Sequence, residues 1–518
     1  MLDFSSWNKK KEETKDVGLI EDMIPLICNL IHTEWHSIKS YFETNDQSWL
    51  ELNEEARKDR TELMDELIKE HDGEIWCLTP NIKIITIDGT KKISDINVGD
   101  FVLTHNNRFK RVINKYIREV NEKIIKITTN YSNIDLEATG NHLFYIANNL
   151  RIPQKSNWKK EYTRPTFIWK EARNLTRNDF IYLPRYNIIK DIDFIDINYE
   201  KIYKNKCNNG IDRFKDNLRI PINNDVMRLI GLYLSEGHQS KGFNKIKKYP
   251  TSYMGLTFSI EEEELANFVI STFNKYFNYS TKPTYRKSTI EFSINKRVIC
   301  KFFEQFGCCA HEKKIPDWII KLPISKLKYM VKGLIEGDGN ISRFDFKYAT
   351  VSEKLAFDMR LILNKLGVLS NISNRGRVKD STINNRKIIS RHDVYSIVIS
   401  GDSARNLANI IGVNYDGGIK TTGQFGYVGK EYFLIPIIKI ENFEYMGNVY
   451  NLEVEEDESY STFNGVVHNC FSKHTLSNIV SYIELANRKL SEGKKDEAIN
   501  YLNKSKKWLG LFMIKNKL

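Results

Sequence analysis

Apolar residues recur at steps of three and four between positions 20 and 38, where Ile20, Ile24, Ile27, Ile31, Trp35 and Ile38 line one face. This spacing predicts a helix with Pro25 in its first turn. A second, strongly charged helix is expected over 48–71. After His71-Asp72-Gly73 the period changes: Lys83-Ile84-Ile85-Thr86-Ile87 reads as a strand running into an Asp88-Gly89 turn. Short β-type runs such as KIIKITT (123–129) and HLFYIA (142–147) then dominate to about 185, separated by Asn and Gly clusters, which suits an all-β unit. Between about 186 and 428 the pattern is mixed, with helices expected over 261–277 and 352–366, and an α+β domain is predicted there. Strand text returns over 431–467 in YFLIPIIKI and NVYNLEV, as though the earlier β unit had been interrupted by an insertion. Beyond Asn469 a helical face carries Leu476, Ile479, Val480 and Ile483, and a second carries Ile499, Leu502, Leu509 and Phe512. The order is nested: helical, β, mixed, β, helical.

A chain of 518 residues is too long for one core, so several domains are expected. Hydrophobic content of 41% is globular, and no stretch is apolar enough over the length needed to span a bilayer. The N-terminal segment lacks an apolar core and a small-residue cleavage site, so a cytoplasmic location with no membrane partner is expected. The 7 cysteines form an odd set without paired metal-finger spacing, which points to reduced thiols and not to a disulfide framework. A formal net charge of +12 suggests a polyanionic partner, and nucleic acid is the first candidate. The basic excess is concentrated between 201 and 250.

Three separated pieces carry a chemical signal. The first is Cys77-Leu78-Thr79-Pro80 with its strand, the Asp88-Gly89 turn, Ile96 and Gly99-Asp100-Phe101-Val102-Leu103. The second is Thr139-Gly140-Asn141-His142, and the third is Gly465-Val466-Val467-His468-Asn469-Cys470. Cys77 alone would be a small buried hydrophobe, and His142 alone a core histidine. In this order, with Cys opening the β unit and His-Asn-Cys closing it where helical text resumes, they resemble the blocks of an intein's Hint fold. The segment 169–185 (WKEARNLTRNDFIYLPR) also resembles a family segment.

The resemblance implies an all-β, horseshoe-like splicing domain. Cys77 would attack the carbonyl of Trp76 to form a thioester, with His142 as acid toward the Cys77 nitrogen and Thr139, Asn141 or backbone amides steadying the oxyanion. Cys470 would take over the upstream segment, Asn469 would cyclise and break the Asn469-Cys470 bond, and His468 would assist. Residues 77–469 would leave, and Trp76 would be joined to Cys470 without a cofactor. Two positions depart from the family: Asn451 stands where Asp is frequent, and Glu458 where His is frequent. Asn451 cannot act as a base or shift a cysteine pKa by charge, which bears on how the Cys77 and Cys470 steps are coupled.

Within the mixed region, Leu229-Ile230-Gly231-Leu232-Tyr233-Leu234-Ser235-Glu236-Gly237 and Val331-Lys332-Gly333-Leu334-Ile335-Glu336-Gly337-Asp338-Gly339 form an internal repeat. They resemble the two motifs of LAGLIDADG homing endonucleases. That family implies pseudo-twofold αββαββα repeats in a monomer, with Gly231 and Gly333 letting two helices approach and Glu236 and Asp338 meeting as metal ligands. The cofactor would be Mg2+ or another divalent cation, and the partner double-stranded DNA carrying the uninterrupted host-gene site. Lys313, in Lys313-Lys314-Ile315-Pro316, matches a block with a catalytic-site lysine; a solvated surface charge is the alternative. Strands near 257–260, 289–294 and 344–350 would read the major groove.

The expected domains are therefore 1–76, a helical host segment; 77–188, the first part of the splicing domain; 189–428, the endonuclease; 429–469, the second part of the splicing domain; and 470–518, a helical host segment. The host resembles no family. Its His32 and His36, and Cys470 and His474 once joined, have one-turn spacing, with His71 and Glu74 nearby, and could bind a transition metal; ordinary surface histidines and a buried thiol are the plainer reading. Competing readings of the whole are a cleavage-only Hint element, against which Cys470 argues, and a DNA-binding remnant with an inactive nuclease, against which the retained acids argue.

Overall fold

The computed structural model describes residue 30, residues 33–41, 43–44, 46–71, 77–148, 165–204, 211–244, 249–377, 381–383, 386–388, 391–417 and 426–469, and positions scattered between 482 and 503. The chain divides into two compact units, Cys77–Asn469 on the one hand and Met1–Trp76 with Cys470–Leu518 on the other. In the second of these the charged stretch forms the helix Ser48–His71. Ile38 and Ala486 are buried together beside Trp35 and Tyr501. The remaining stripe positions Ile20 to Ile31, and those of 476–480 and 509–512, lie outside the described residues.

Within Cys77–Asn469 the outer segments are strands. Lys83–Thr86 turns back on Gly89–Lys92 through the predicted Asp88-Gly89 turn, where Gly89 takes a φ of +108 that a side chain would resist. Phe109–Thr129 pairs antiparallel with Tyr432–Val454 over nearly their whole length, from Thr129 opposite Ile437 to Val112 opposite Val454. Segments some three hundred residues apart in sequence thus form one ribbon. Ser459–Thr462 and Gly465–His468 make a closing hairpin, whose second strand meets Phe144 through Val467. Leu78 is bridged to both Tyr450 and Ala138. The start of the interrupted β unit is thus held on Ser132–Thr139 and Tyr432–Val454, and its end on Ser459–Thr462 and Leu143–Asn148.

The insertion begins with the hairpin of Phe194–Lys204 and Ile211–Pro221. Two copies of one pattern follow. The first runs through helix Asn224–Glu236, strands Gly237–Asn244 and Tyr249–Ser259, helix Glu263–Tyr276, strands Thr284–Tyr285 and Thr289–Ile294, and helix Arg297–Glu304. The second runs through helix Ile324–Asp338, strands Gly339–Ile341 and Asp345–Thr350, helix Glu353–Leu366, strands Asn371–Asn374 and Tyr395–Ser400, and helix Asp402–Ile411, with Ser381–Ile383 and Arg386–Ile388 between its last strands. Caps set the helix starts: Asn223 Oδ1 accepts from the Val226 N–H, and Ser352 Oγ from the Leu355 N–H.

The insertion is not a separate body hung on the β unit. Asn371–Asn374 runs parallel to Ser132–Thr139, meeting it at Ile372 and Ser132, so one large sheet passes through both. The apolar core crosses the same boundary. Ile85, Leu103, Leu183, Phe433 and Phe463 share a cluster with Leu229, Ile230 and Leu334, whereas Leu78, Ile84, Val102, Phe144, Leu452 and Val467 form a second core within the β unit. Among the described residues no helix is long and apolar enough to cross a membrane.

Candidate functional site

The backbone of Cys77 is clamped from two sides. Its N–H donates to Thr139 Oγ1 at 3.0 Å, its carbonyl accepts from the Thr139 N–H at 3.0 Å, and the Thr139 hydroxyl donates to Asn141 Oδ1 at 2.8 Å. The His142 N–H donates to the Thr139 carbonyl, which folds the Thr139-Gly140-Asn141-His142 turn under the Cys77 peptide. His142 is fully buried, with its ring against the Cys77 backbone. Burial, reinforced by the charge of His468 and opposed by the Cys77 backbone, pushes its pKa down to about 3. The ring is therefore neutral at pH 7. It can take a proton from a thiol and pass it on, but it does not start as an imidazolium acid.

His468 and Asn469 stand at the end of the closing hairpin. His468 Nδ1–H donates to the Asn469 carbonyl at 2.9 Å, the one assignment open to a carbonyl oxygen. The Asn469 N–H donates to the Glu458 carbonyl at 2.8 Å, its Nδ2 lies 3.4 Å from the Val454 carbonyl, and its Oδ1 has no partner among the described residues. Cys470 and Trp76 lie outside the described residues. The two groups adjoin through their histidines, since the charge of His468 is felt at the His142 ring. Asn451 is buried beside them, its Oδ1 accepting from Tyr460 Oη and the Leu452 N–H, each at 2.7 Å. Glu458 holds a φ of +49, which orients its carbonyl toward Asn469.

Two further residues enter this neighbourhood: Trp169, which opens the 169–185 segment, and His105, which the sequence did not single out. Trp169 packs edge-on against His468 at 4.7 Å between centroids, and His105 packs on Trp169 at 5.6 Å. His105 Nδ1 pairs with Ser459 Oγ at 2.7 Å, and burial lowers its pKa. Its turn is pinned by Asp457, which accepts from Thr104 Oγ1, Asn106 Nδ2 and Arg108 Nε. Asn106-Asn107 marks a turn here in sequence, but nothing local shows that it meets residues more than three hundred positions away.

The second site lies between the two central helices. They cross so closely at Gly231 and Gly333 that a Cβ on Gly231 would fall 2.2 Å from the Met330 carbonyl oxygen, and one on Gly333 would fall 2.2 Å from that of Arg228. Arg228 forks onto Glu336 at 2.6 and 2.8 Å across the same interface. At the helix ends burial, together with the neighbouring Asp338, pushes Glu236 up to about 7; burial also raises Asp338, with Lys313 opposing. Lys313 is 2% exposed, which rules out the solvated surface charge. Its Nζ donates to the Tyr233 carbonyl at 2.8 Å and lies over the Tyr233 ring, and burial lowers its pKa to about 7.

Two neighbouring carboxylates, Glu236 half-buried and Asp338 open to solvent, whose charges repel are the setting a hard divalent cation fits. Among the described residues no group of three or more His, Cys, Asp or Glu has ligating geometry, so Glu236 and Asp338 would hold the ion with water completing its shell. The flanking strands form two sheets. One orders Gly237–Asn244, Tyr249–Ser259, Thr289–Ile294 and Thr284–Tyr285, and the other places Asp345–Thr350 beside Tyr395–Ser400.

Residues 325–412 match the family model of the LAGLIDADG-like domain. The chain thus contains such a domain, and the match covers the second central helix with Asp338. Over 423 residues the chain is 29% identical to the ATP-dependent DNA helicase Hel308 of Thermococcus kodakarensis, which covers 76% of this chain and 36% of the helicase. It is 29% identical over 428 residues to an uncharacterized protein of Methanocaldococcus jannaschii, covering 78% and 51%. An iron-sulfur cluster assembly SufBD family protein of Mycobacterium tuberculosis is 24% identical over 419 residues, covering 76% and 43%. The chain spans about a third to a half of these relatives' own length. Among solved structures, the homing endonuclease I-DmoI aligns at a TM-score of 0.29 with 15% identity, covering 37% of this chain and 96% of that one. The gp41-1 intein aligns at 0.16 with 21% identity, covering 21% and 70%.

Proposed function

We propose that residues 77–469 are a self-excising protein-splicing element that joins Trp76 to Cys470, and that the insertion within them cuts double-stranded DNA. The observation that carries the splicing reading is a Cys77 peptide clamped by Thr139 at one end of the unit and an Asn469 carbonyl bonded by His468 at the other, with His142 and His468 near enough for one to feel the other's charge. The Cys77 thiol adds to the Trp76 carbonyl, neutral His142 takes the thiol proton and delivers it to the Cys77 nitrogen, and the C–N bond breaks to leave a thioester. The Cys470 thiol then displaces Cys77 sulfur. Asn469 Nδ2 attacks its own carbonyl, which the His468 Nδ1–H polarises, forming a succinimide and freeing the Cys470 amine, and a sulfur-to-nitrogen shift closes the peptide bond.

The relatives fit a portable element. Residues 77–469 make up a share of this chain like the 76% matched in a helicase and in an iron-sulfur cluster assembly protein, two proteins named for unrelated tasks. The DNA-cutting reading rests on the LAGLIDADG-like match and on the Glu236, Asp338 and Lys313 cluster. A bound divalent cation would neutralise phosphate charge and activate water; Glu236 and Asp338 would hold it, while buried Lys313 keeps a proton donor at hand. The flanks form the host protein, and its location is proposed to be cytoplasmic. His36 pairs with Ser40 and stacks on Trp49, which favours an ordinary histidine; His32, Glu74, Cys470 and His474 lie outside the described residues, as does the side chain of His71.

Intact mass of the expressed chain over time tests the splicing reading, beside a Cys77→Ala, Asn469→Ala double variant. The expected result is loss of the 60.7 kDa species in favour of an excised piece and a ligated product, with the variant unchanged. Unligated fragments would indicate a cleavage-only element, and a stable wild type would remove the splicing reading. Cutting is tested on a duplex encoding the uninterrupted Trp76–Cys470 junction, with and without Mg2+. Binding without cutting would leave a DNA-binding remnant.

A further inference from the structure

Helix Glu353–Leu366 of the insertion touches both sites. At its start Ser352 Oγ donates to the Lys313 carbonyl at 2.5 Å, and Asp358 Oδ2 accepts from the Ile315 N–H at 3.2 Å. Midway, Phe357 packs on Phe463 at 4.4 Å between centroids, and Arg360 reaches the tip of the closing hairpin. Arg360 is 4% exposed; its Nη1 donates to Asn464 Oδ1 at 2.9 Å and its guanidinium lies 4.4 Å from the Phe463 ring, while Nη2 has no partner among the described residues. Asn464 Nδ2 in turn donates to the Ile134 carbonyl at 2.6 Å, and the Phe463 N–H donates to the Lys83 carbonyl at 2.8 Å. From this tip the strand Gly465–His468 runs straight to His468 and Asn469.

An enclosed guanidinium with one of its nitrogens unpaired is a costly way to fill a core, since an apolar side chain of like volume would pack there at less expense of hydration. What it supplies instead is direction: a charge-assisted hydrogen bond to a single side chain fixes where the turn sits. The hairpin is a stiff paired element, so a displacement of its tip passes along the strand to the residues at its end.

Resting on the splicing reading above, we infer that Arg360 is a positioning residue for the Asn469 step. The inserted domain holds the closing hairpin at Asn464 so that the Asn469 amide and carbonyl stay aligned. Its bond goes to the hairpin that ends at Asn469, whereas the Cys77 peptide is held at the far end of Ser132–Thr139 by Thr139 and by the bridges of Leu78, so the Cys77 step is expected to be spared.

The test uses the full chain in two backgrounds. In Cys77→Ala only cleavage at Asn469 can proceed, and in Asn469→Ala only thiol-induced cleavage at Cys77 can. Arg360→Met and Asn464→Ala are each expected to slow the Asn469 cleavage on the order of tenfold, as a small misplacement of reacting groups does, and to leave the thiol-induced cleavage unchanged. The double variant should be no slower than the slower single one, and Arg360→Lys, which can still donate to Asn464 Oδ1, should recover part of the rate. Equal loss of both cleavages, or of neither, overturns the inference while the splicing reading stands. Absence of both cleavages in chains that carry wild-type Arg360 and Asn464 overturns the splicing reading and the inference with it.

Discussion

His142 sits where a proton is hard to keep, and the consequence reaches beyond chemistry to stability. Its folded pKa, about 3, lies below the unfolded value of 6.5, so below about pH 6.5 the unfolded chain binds a proton that the folded chain refuses. Stability contributed by the neutral ring is present above that pH and lost as pH falls; His105 and His238, also lowered by burial, act in the same direction. The Cys77→Ala, Asn469→Ala precursor should therefore melt at a lower temperature at pH 5 than at pH 7, and His142→Leu should shrink that difference. A pH dependence unaltered by His142→Leu would sink the argument. Glu236 has the opposite sign. Its folded pKa is raised to about 7, so its unfavourable effect grows as pH rises from the usual carboxylate range to that value. Glu236→Gln should raise the melting temperature at pH 8 without divalent cation and abolish DNA cutting with Mg2+; a lower melting temperature would mean that the carboxylate is not strained. Thr139→Ala removes the acceptor of the Cys77 N–H, and thioester formation should slow by roughly tenfold to a thousandfold, measured by thiol-induced cleavage. A rate equal to wild type would exclude Thr139 from that step.

Element by element, the central helices make the strictest demand on sequence. A methyl on Gly333 would press on the Arg228 carbonyl, which belongs to backbone and cannot swing aside. Gly333→Ala should cost about 1–3 kcal/mol or more, read from urea unfolding, and should lower cutting as the acids at the helix ends move apart; a neutral result would contradict the close crossing. These helices were legible because their signal is local: apolar period, paired glycines and terminal acids all fall within one short window. The Asp88-Gly89 turn, the charged helix Ser48–His71 and the return of strands after 431 were legible for the same reason. Other features were hidden because they are made by residues distant in sequence. For Lys313 the sequence offered a catalytic-site lysine and a solvated surface charge side by side, and only the covering Tyr233 decides against the second, while His105 has no partner until Ser459 and Trp169 arrive. The junction of Ile372 with Ser132 and the bond from Arg360 to Asn464 span long stretches of chain and leave no periodic trace.

At the scale of the whole molecule, the shared core decides how far the two chemistries can be separated. Ile85, Leu103, Leu183 and Phe433 belong to strands of the outer β unit and Phe463 to its closing hairpin turn, yet they are buried in the same cluster as Leu229, Ile230 and Leu334 of the central helices. Removing 189–428 and bridging the gap with a Gly-Ser linker would strip one side from each of these five. Each fully exposed side chain of this kind forfeits about 1.5–3 kcal/mol of burial, which is large against the marginal stability of a domain. The second core around Leu78, Val102, Phe144 and Leu452 would remain intact, so the strands should still assemble, but with a contiguous apolar patch on one face. Such a shortened chain is expected to aggregate when expressed, and to become soluble when Ile85, Leu103 and Phe463 are changed to Thr, Thr and Tyr. In contrast, residues 77–469 without their flanks keep both cores whole and should melt within a few degrees of the inactive precursor, because the flanking cluster of Ile38 and Ala486 belongs to the other unit. Static light scattering and thermal melts of the two shortened chains decide the matter. A soluble, unmodified 189–428 deletion would mean that the splicing strands close their own core, and the packing across the boundary would then be incidental to their stability.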